Sequence, residues 1–277
     1  MKRFFTSFFL AFGLVFLAAQ AYAAEESQPL NLRYILYAGG LKVVDVNVGY
    51  DLAPTTYAVH ANATTRGMWA SLVPWRNMIT ARGEVDENGI HPRLARYDTA
   101  WREKLKTIEM SFAEDGSVTT VSTPPQRPDG RVEATPEQVN GTMDPLSAVV
   151  NVLARGGLEG CEGKIPAFDG RRVYNLVLTS KGEEQLAKTD YSIFSGTAER
   201  CEVTFEPVAG FPNRETRAGF WSARDNAKGN PLIIWMAKVR PGLPLIPVRV
   251  QSTVQLGTLV AHLRSVEEQP RATAEAR

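Results

Sequence analysis

From Leu30 onward the chain alternates apolar and polar residues with a period of two, run after run, and that pattern restricts it to antiparallel β-structure. Leu32, Tyr34 and Leu36 alternate with more polar neighbours, Gly39-Gly40 supplies a turn, and Val44, Val46 and Val48 resume the alternation, which predicts a β-hairpin. Tyr57, Val59, Ala61 and Ala63 mark one face of the next strand. Further strands are predicted at 78–85, 93–102, 105–112 and 118–121, separated by the turn signals Asp86-Glu87-Asn88-Gly89 and Glu114-Asp115-Gly116. A second series follows at 172–179, 191–199, 201–206, 233–239, 245–253 and 258–266, with Pro241, Pro244 and Pro247 marking bends or edges.

Two segments leave this period. Met68, Trp69, Leu72 and Val73 have helical spacing closed by Pro74, which predicts a short helix plugging or flanking the sheet. Asp144 can cap a second helix with Pro145 at its first position and Leu146, Val149, Val150 and Leu153 on its apolar face, ended by Gly156-Gly157. The stretch 124–142 is polar, rich in Pro and Gly, and lacks periodicity, so it reads as a surface excursion from one sheet. About a dozen antiparallel strands with one or two short helices predict a mainly β fold, one large curved sheet forming a partial or half barrel.

The N-terminus has another purpose. Lys2 and Arg3 precede an apolar run from Phe4 to Ala19, and Ala21-Tyr22-Ala23 gives a small-x-small site. That order predicts a cleavable signal peptide over residues 1–23 and export to the periplasm. The run is shorter than the roughly 20 apolar residues needed to span a bilayer, and no later stretch approaches that length, so no integral membrane span is expected after cleavage. The domain organisation expected is therefore signal peptide 1–23, a single β-rich domain 24–266, and a polar, frayed tail 267–277.

Cleavage would leave 29 basic against 30 acidic residues, a balance that gives no electrostatic reason to expect nucleic acid as a partner. Export also bears on the two cysteines, Cys161 and Cys201, since oxidising compartments favour pairing. Two buried free thiols or one reactive thiol are the alternatives. A bridge closing a loop of about 40 residues would stabilise by about 4 kcal/mol on the chain-entropy model.

Several local patterns go together. Asp144-Pro145-Leu146-Ser147-Ala148 opens the second helix, Cys161 follows, then 167–174 as Ala-Phe-Asp-Gly-Arg-Arg-Val-Tyr, then Tyr191, Gly196 and Cys201. With Gly39-Gly40, Gly67, Gly83 and Asn88-Gly89-Ile90-His91-Pro92, this resembles the bacterial exported family catalogued as domain of unknown function 3108. The resemblance implies a curved antiparallel sheet, loosely similar to the half barrels of periplasmic lipoprotein carriers, which hold acyl chains on a concave face. It carries over no catalytic residue.

No nucleophile motif, zinc-binding helix motif or glycine-rich phosphate loop is present, and His60, His91 and His262 lack ligand spacing, so no catalytic residue, metal or cofactor is expected. Met68, Trp69, Leu72 and Trp101, with Trp235 from an apolar run at 232–237, are core candidates that could alternatively line an apolar groove. Tyr97 and Asp98 sit near Trp101, and Asp98, Asp169 and Arg171 are the candidate polar site, against the simpler reading of Asp169-Gly170 as a tight hairpin turn. The function expected is a non-enzymatic periplasmic envelope protein that binds a lipid, an acyl chain or an envelope protein. A pure assembly module, docking through 124–142 or a sheet edge, is the alternative, and an unrecognised hydrolase is a third.

Overall fold

The structure, a computed structural model, describes residues 29–128, 130–156, 160–211, 230–254 and 257–269. The signal-peptide reading lies outside these residues, as do Gly157 and the tail beyond Gln269. Among the described residues, thirteen strands form one antiparallel sheet. They are β1 (Leu30–Ala38), β2 (Leu41–Leu52), β3 (Thr56–Thr65), β4 (Trp75–Asp86), β5 (Gly89–Trp101), β6 (Lys104–Phe112), β7 (Val118–Thr123), β8 (Gly163–Phe168), β9 (Val173–Leu186), β10 (Gly196–Ala209), β11 (Leu232–Ala237), β12 (Ile246–Val254) and β13 (Gly257–Glu268). The helices named among the described residues are short: α1 (Met68–Leu72), α2 (Pro136–Val139) and α3 (Pro145–Ala154).

The spatial order is β7-β6-β5-β4-β3-β2-β1-β13-β12-β11-β10-β9-β8. The chain thus builds one wing outward from β1 to β7, crosses to β8, and builds the other wing back to β13, which pairs with β1 through Leu30↔Glu268 to Ala38↔Leu259. The pairing carries β13 two residues into the segment expected to fray. The sheet's edges, β7 and β8, both lie mid-chain, and they are not hydrogen-bonded to each other.

Side-chain packing draws those edges together. The β8–β9 turn holds Gly170 at φ +86, and a Cβ there would lie 2.4 Å from Ile108 Cγ2 of β6. Parts of the stretch after β7 lie along this seam: Gln126 donates to the Gly170 carbonyl at 2.9 Å, Arg131 to the Gly210 carbonyl at 2.6 Å, and Arg171 to the Arg127 carbonyl at 3.0 Å. The stretch read as a surface excursion is therefore tied to the second wing, and to the first where the Gly141 amide donates to the Gly116 carbonyl at 2.9 Å; it contains α2, opened by a capping box between Thr135 and Gln138.

Prolines sit where strand pairing slips. Pro92 faces Gly83 at the β4–β5 shift, Pro247 faces Met236 at the β11–β12 shift, and Pro166 lies on edge strand β8. At Gly83 the backbones approach so closely that a Cβ would fall 2.1 Å from the His91 carbonyl oxygen and 2.8 Å from the Tyr57 ring. Gly83→Ala is expected to cost about 3 kcal/mol through overpacking against main chain; a urea midpoint equal to that of the parent would refute this.

Two expectations are corrected. The strands read at 191–199 and 201–206 are one continuous β10 beginning at Gly196, and its pairing with β9 shifts between Glu199 and Cys201. The α3 face buried against the sheet comprises Ser147, Ala148, Val150, Asn151 and Val152, while Val149 is exposed. The buried residues form one large cluster that includes Leu30, Tyr57, Ala95, Met110 and Val150, and a smaller one joining α3 to the disulfide and Met236.

Candidate functional site

The curved face that receives α3 is identified by register. Tyr57 and Tyr97 reach α3 residues, so their side of β3 and β5 is the concave one. Three successive rows cross six strands on this face. The first, Leu30–Tyr50–Val59–Ala81–Ala95–Met110, is wholly buried where α3 overlies that end of the sheet. The second, Leu32–Val48–Ala61–Ile79–Tyr97–Ile108, is half-buried beyond Leu32. The third, Tyr34–Val46–Ala63–Asn77–Thr99–Lys106, grades from buried Tyr34 to exposed Lys106. The concave face is therefore filled by the protein's own helix at one rim and opens toward the other. Its open part is lined by small or apolar side chains, Val46, Val48, Ala61, Ala63 and Ile79. The convex face of the same strands carries Asn47, His60, Asn62, Arg76, Thr80 and Arg82, all exposed.

At the filled end the helix is anchored by a buried polar network. Asp144, fully buried, caps α3 by accepting from the Leu146 and Ser147 amides at 3.0 and 3.1 Å. It also accepts a short hydrogen bond from the Ser147 hydroxyl and a longer one, 3.4 Å, from Tyr97. With its own proton directed to Asp144, Ser147 Oγ accepts from the Tyr57 hydroxyl at 2.6 Å. Burial outweighs these donors and holds the Asp144 carboxyl above the usual carboxylate range. Asp144 was legible as a helix cap; its tyrosine partners, arriving from β3 and β5, were not.

The residues singled out from the sequence do not converge. Met68, Trp69 and Leu72 belong to α1, which buries none of its residues and lies at the open rim between β3 and β4, so it flanks the sheet rather than plugging it. Trp101 joins them there, paired in register with Trp75 and 51% exposed. Trp235 lies elsewhere. Trp235 is buried on β11 as part of the large cluster, with its indole N–H on Glu184 at 3.0 Å and the Arg249 guanidinium 4.5 Å above its ring. His262, in the same cross-strand row, packs on Tyr37 and Tyr191; burial, then the Arg249 and Arg264 charges, lower its pKa to about 4, so it stays neutral at ordinary pH.

The polar candidates are equally dispersed. Asp98 is on the convex face, clamped by Arg96 at 2.9 Å and by the Thr107 hydroxyl at 2.6 Å. Asp169 closes its own turn, accepting from the Arg171 and Arg172 amides and pairing with the Arg172 guanidinium at 2.6 Å. Arg171 turns to Glu133 at 3.4 Å. No group of three His, Cys, Asp or Glu side chains is placed to hold a metal ion among the described residues. Cys161 and Cys201 are paired in a disulfide with Cα atoms 5.7 Å apart, fully buried beside Ala148 and Val152 of α3.

Comparison with known proteins adds family but no activity. No curated protein matches the chain. Among solved structures, the crystal structure of a beta-barrel-like protein of domain of unknown function DUF1849 from Brucella abortus is similar over 88% of this chain and 99% of that one, with 13% identity and a TM-score of 0.49. The family model described as protein of unknown function (DUF3108) matches residues 33–264, nearly the whole of the sheet, and the chain belongs to that family.

Proposed function

We propose that this protein is a non-enzymatic, exported envelope protein that binds an apolar ligand, an acyl chain, on the open part of its concave face. The observation that carries the reading is the burial gradient across the three concave rows. Apolar and small side chains that are fully covered under α3 continue in the same rows to positions that nothing fully covers. Half-exposed Val, Ile and Ala on a concave surface, opposite a polar convex one, are what a binding groove offers a hydrocarbon. The assembly-module alternative is less well supported, because Gln126, Arg127 and Arg131 of that stretch already bond to the β8–β9 turn and to Gly210 of the second wing.

Native mass spectrometry of protein purified from membranes is expected to show a co-purified lipid, and delipidated protein should rebind laurate. Ala63→Trp places an indole among Val46, Asn77 and the strand neighbours of the open row and is expected to weaken laurate binding at least tenfold without unfolding the protein. A delipidated protein that rebinds neither fatty acid nor phospholipid would overturn the reading.

A further inference from the structure

Lys106 is the one charged side chain in the three concave rows traced above. It shares the concave parity of Ile108 and Met110 and lies opposite Thr99, at the open end of the row that begins with Tyr34. It makes no hydrogen bond or ion pair among the described residues, whereas the cations beside it are held in place. Arg172 is paired with Asp169, Arg171 bonds the Arg127 carbonyl and Glu133, and Arg131 bonds the Gly210 carbonyl. The turn that carries Arg171 and Arg172 packs against Ile108, two residues from Lys106 on the same face. Of the charges that act on the Lys106 ammonium, three are these guanidiniums and one is the Asp169 carboxylate.

An ammonium set among fixed cations is unfavourable until an anion joins them; although the side chain as a whole is exposed, partial desolvation of its ammonium first, then the Arg171 charge, lower its pKa. Room for such an anion exists next to the turn, in a pocket that Arg171 lines together with the Glu133 carboxylate and that Lys106 does not itself line. The pocket, of about 420 Å³, has Ser122, Gln126 and Phe168 among its other walls. Ser122 belongs to the concave side of β7, since it pairs with Ile108. The apolar row and the cationic cluster are therefore consecutive parts of one surface.

We propose that the ligand is an anionic single-chain amphiphile, its chain on the Val46, Ala63 and Ile79 surface and its carboxylate or phosphate headgroup on Lys106, flanked by Arg131, Arg171 and Arg172. This rests on the acyl-chain reading above and specifies the class of ligand. A guanidinium and ammonium cluster offers charge-assisted hydrogen bonds to such a headgroup, and the neighbouring apolar row offers the chain somewhere dry to lie.

The test is calorimetric titration of delipidated full-length mature protein with laurate, dodecyl phosphate, uncharged dodecyl maltoside and inorganic phosphate at low salt. Laurate and dodecyl phosphate should bind at least tenfold more tightly than dodecyl maltoside. Lys106→Gln and Lys106→Glu should remove that preference while leaving dodecyl maltoside unchanged, and Lys106→Arg should restore it. Ala63→Trp should weaken all three amphiphiles. Equal affinities for charged and neutral amphiphiles, unaffected at Lys106, would sink the headgroup assignment and leave chain binding intact. Inorganic phosphate binding as tightly as dodecyl phosphate would make the ligand a free anion and overturn the proposal. Binding of none of the four would overturn both readings.

Discussion

Replacing both cysteines, Cys161→Ser with Cys201→Ser, is expected to lower the stability of the folded protein by about 4 kcal/mol. For a chain of this size that corresponds to a fall in the thermal midpoint of roughly 10 °C. The bridge joins the segment just before β8 to the middle of β10, across a sequence separation of 40, and both sulfurs are fully buried against α3. Its removal therefore acts twice. The unfolded chain regains the freedom of a loop, and the helix loses a fixed neighbour at Ala148 and Val152. Thermal unfolding with and without reductant provides the check; coincident melting curves would show that the bridge contributes nothing.

The second large effect is at Asp144. Asp144→Ala leaves the Ser147 hydroxyl and two backbone amides buried without an acceptor, and it removes the cap of α3. The expected loss is about 4 kcal/mol, the sum of a lost cap and of unpaired buried polar groups. Asp144→Asn should behave otherwise. Its amide oxygen can still accept from the helix amides, its NH2 can donate to Ser147, and no charge is buried, so it should lie within about 1 kcal/mol of the parent at neutral pH.

The sign of the pH effect separates the two further. The folded-state pKa of Asp144 is raised, so the folded protein binds more protons than the unfolded chain above the usual carboxylate value near 4. Stability from this group is thus fully present at low pH and falls as pH rises toward the folded pKa. Asp144→Asn should remove that fall. Denaturation midpoints for the two proteins that run parallel between pH 4 and 7 would contradict the assignment.

Much of the sheet was legible because its first wing has one wet face. Along β3 and β4 the convex residues are polar, so the two-residue period is plain from Tyr57 to Ala63. Strand β8 was missed because Gly163, Lys164 and Pro166 break the period; an edge strand tolerates them, since it need satisfy a partner on one side only. β10 was divided in two because its slipped register at Glu199–Cys201 shifts the apolar phase. α3 was placed correctly from Asp144 and Pro145, yet its buried face was misjudged. The helix is wedged against strands on several sides, and Ser147 and Asn151 are buried while Val149 is not.

The candidate site was legible only in part. Met68, Trp69, Leu72 and Trp101 were read first as core, yet none of them is buried, and Trp235, grouped with them, is buried on β11 in the large cluster. Lys106 escaped notice for a physical reason. A period of two divides a strand into faces without stating which face is concave, and only the arrival of α3 on the Tyr57 and Tyr97 side decides it. Once that is known, a lysine in phase with Ile108 and Met110 is conspicuous.

The pairing of β1 with β13 places the first and last strands side by side at the middle of the sheet. During synthesis β1 therefore keeps one row of main-chain amides and carbonyls unmatched for almost the whole length of the chain, and the register from Leu30↔Glu268 to Ala38↔Leu259 can close only when the final strand arrives. Each wing can form from local hairpins, but neither covers the other's inner edge until then. The joint between the wings is thus the latest contact to become available, and a chain that stopped before Gly257, lacking β13, would be two half-sheets with adhesive borders rather than a slightly smaller version of the same protein.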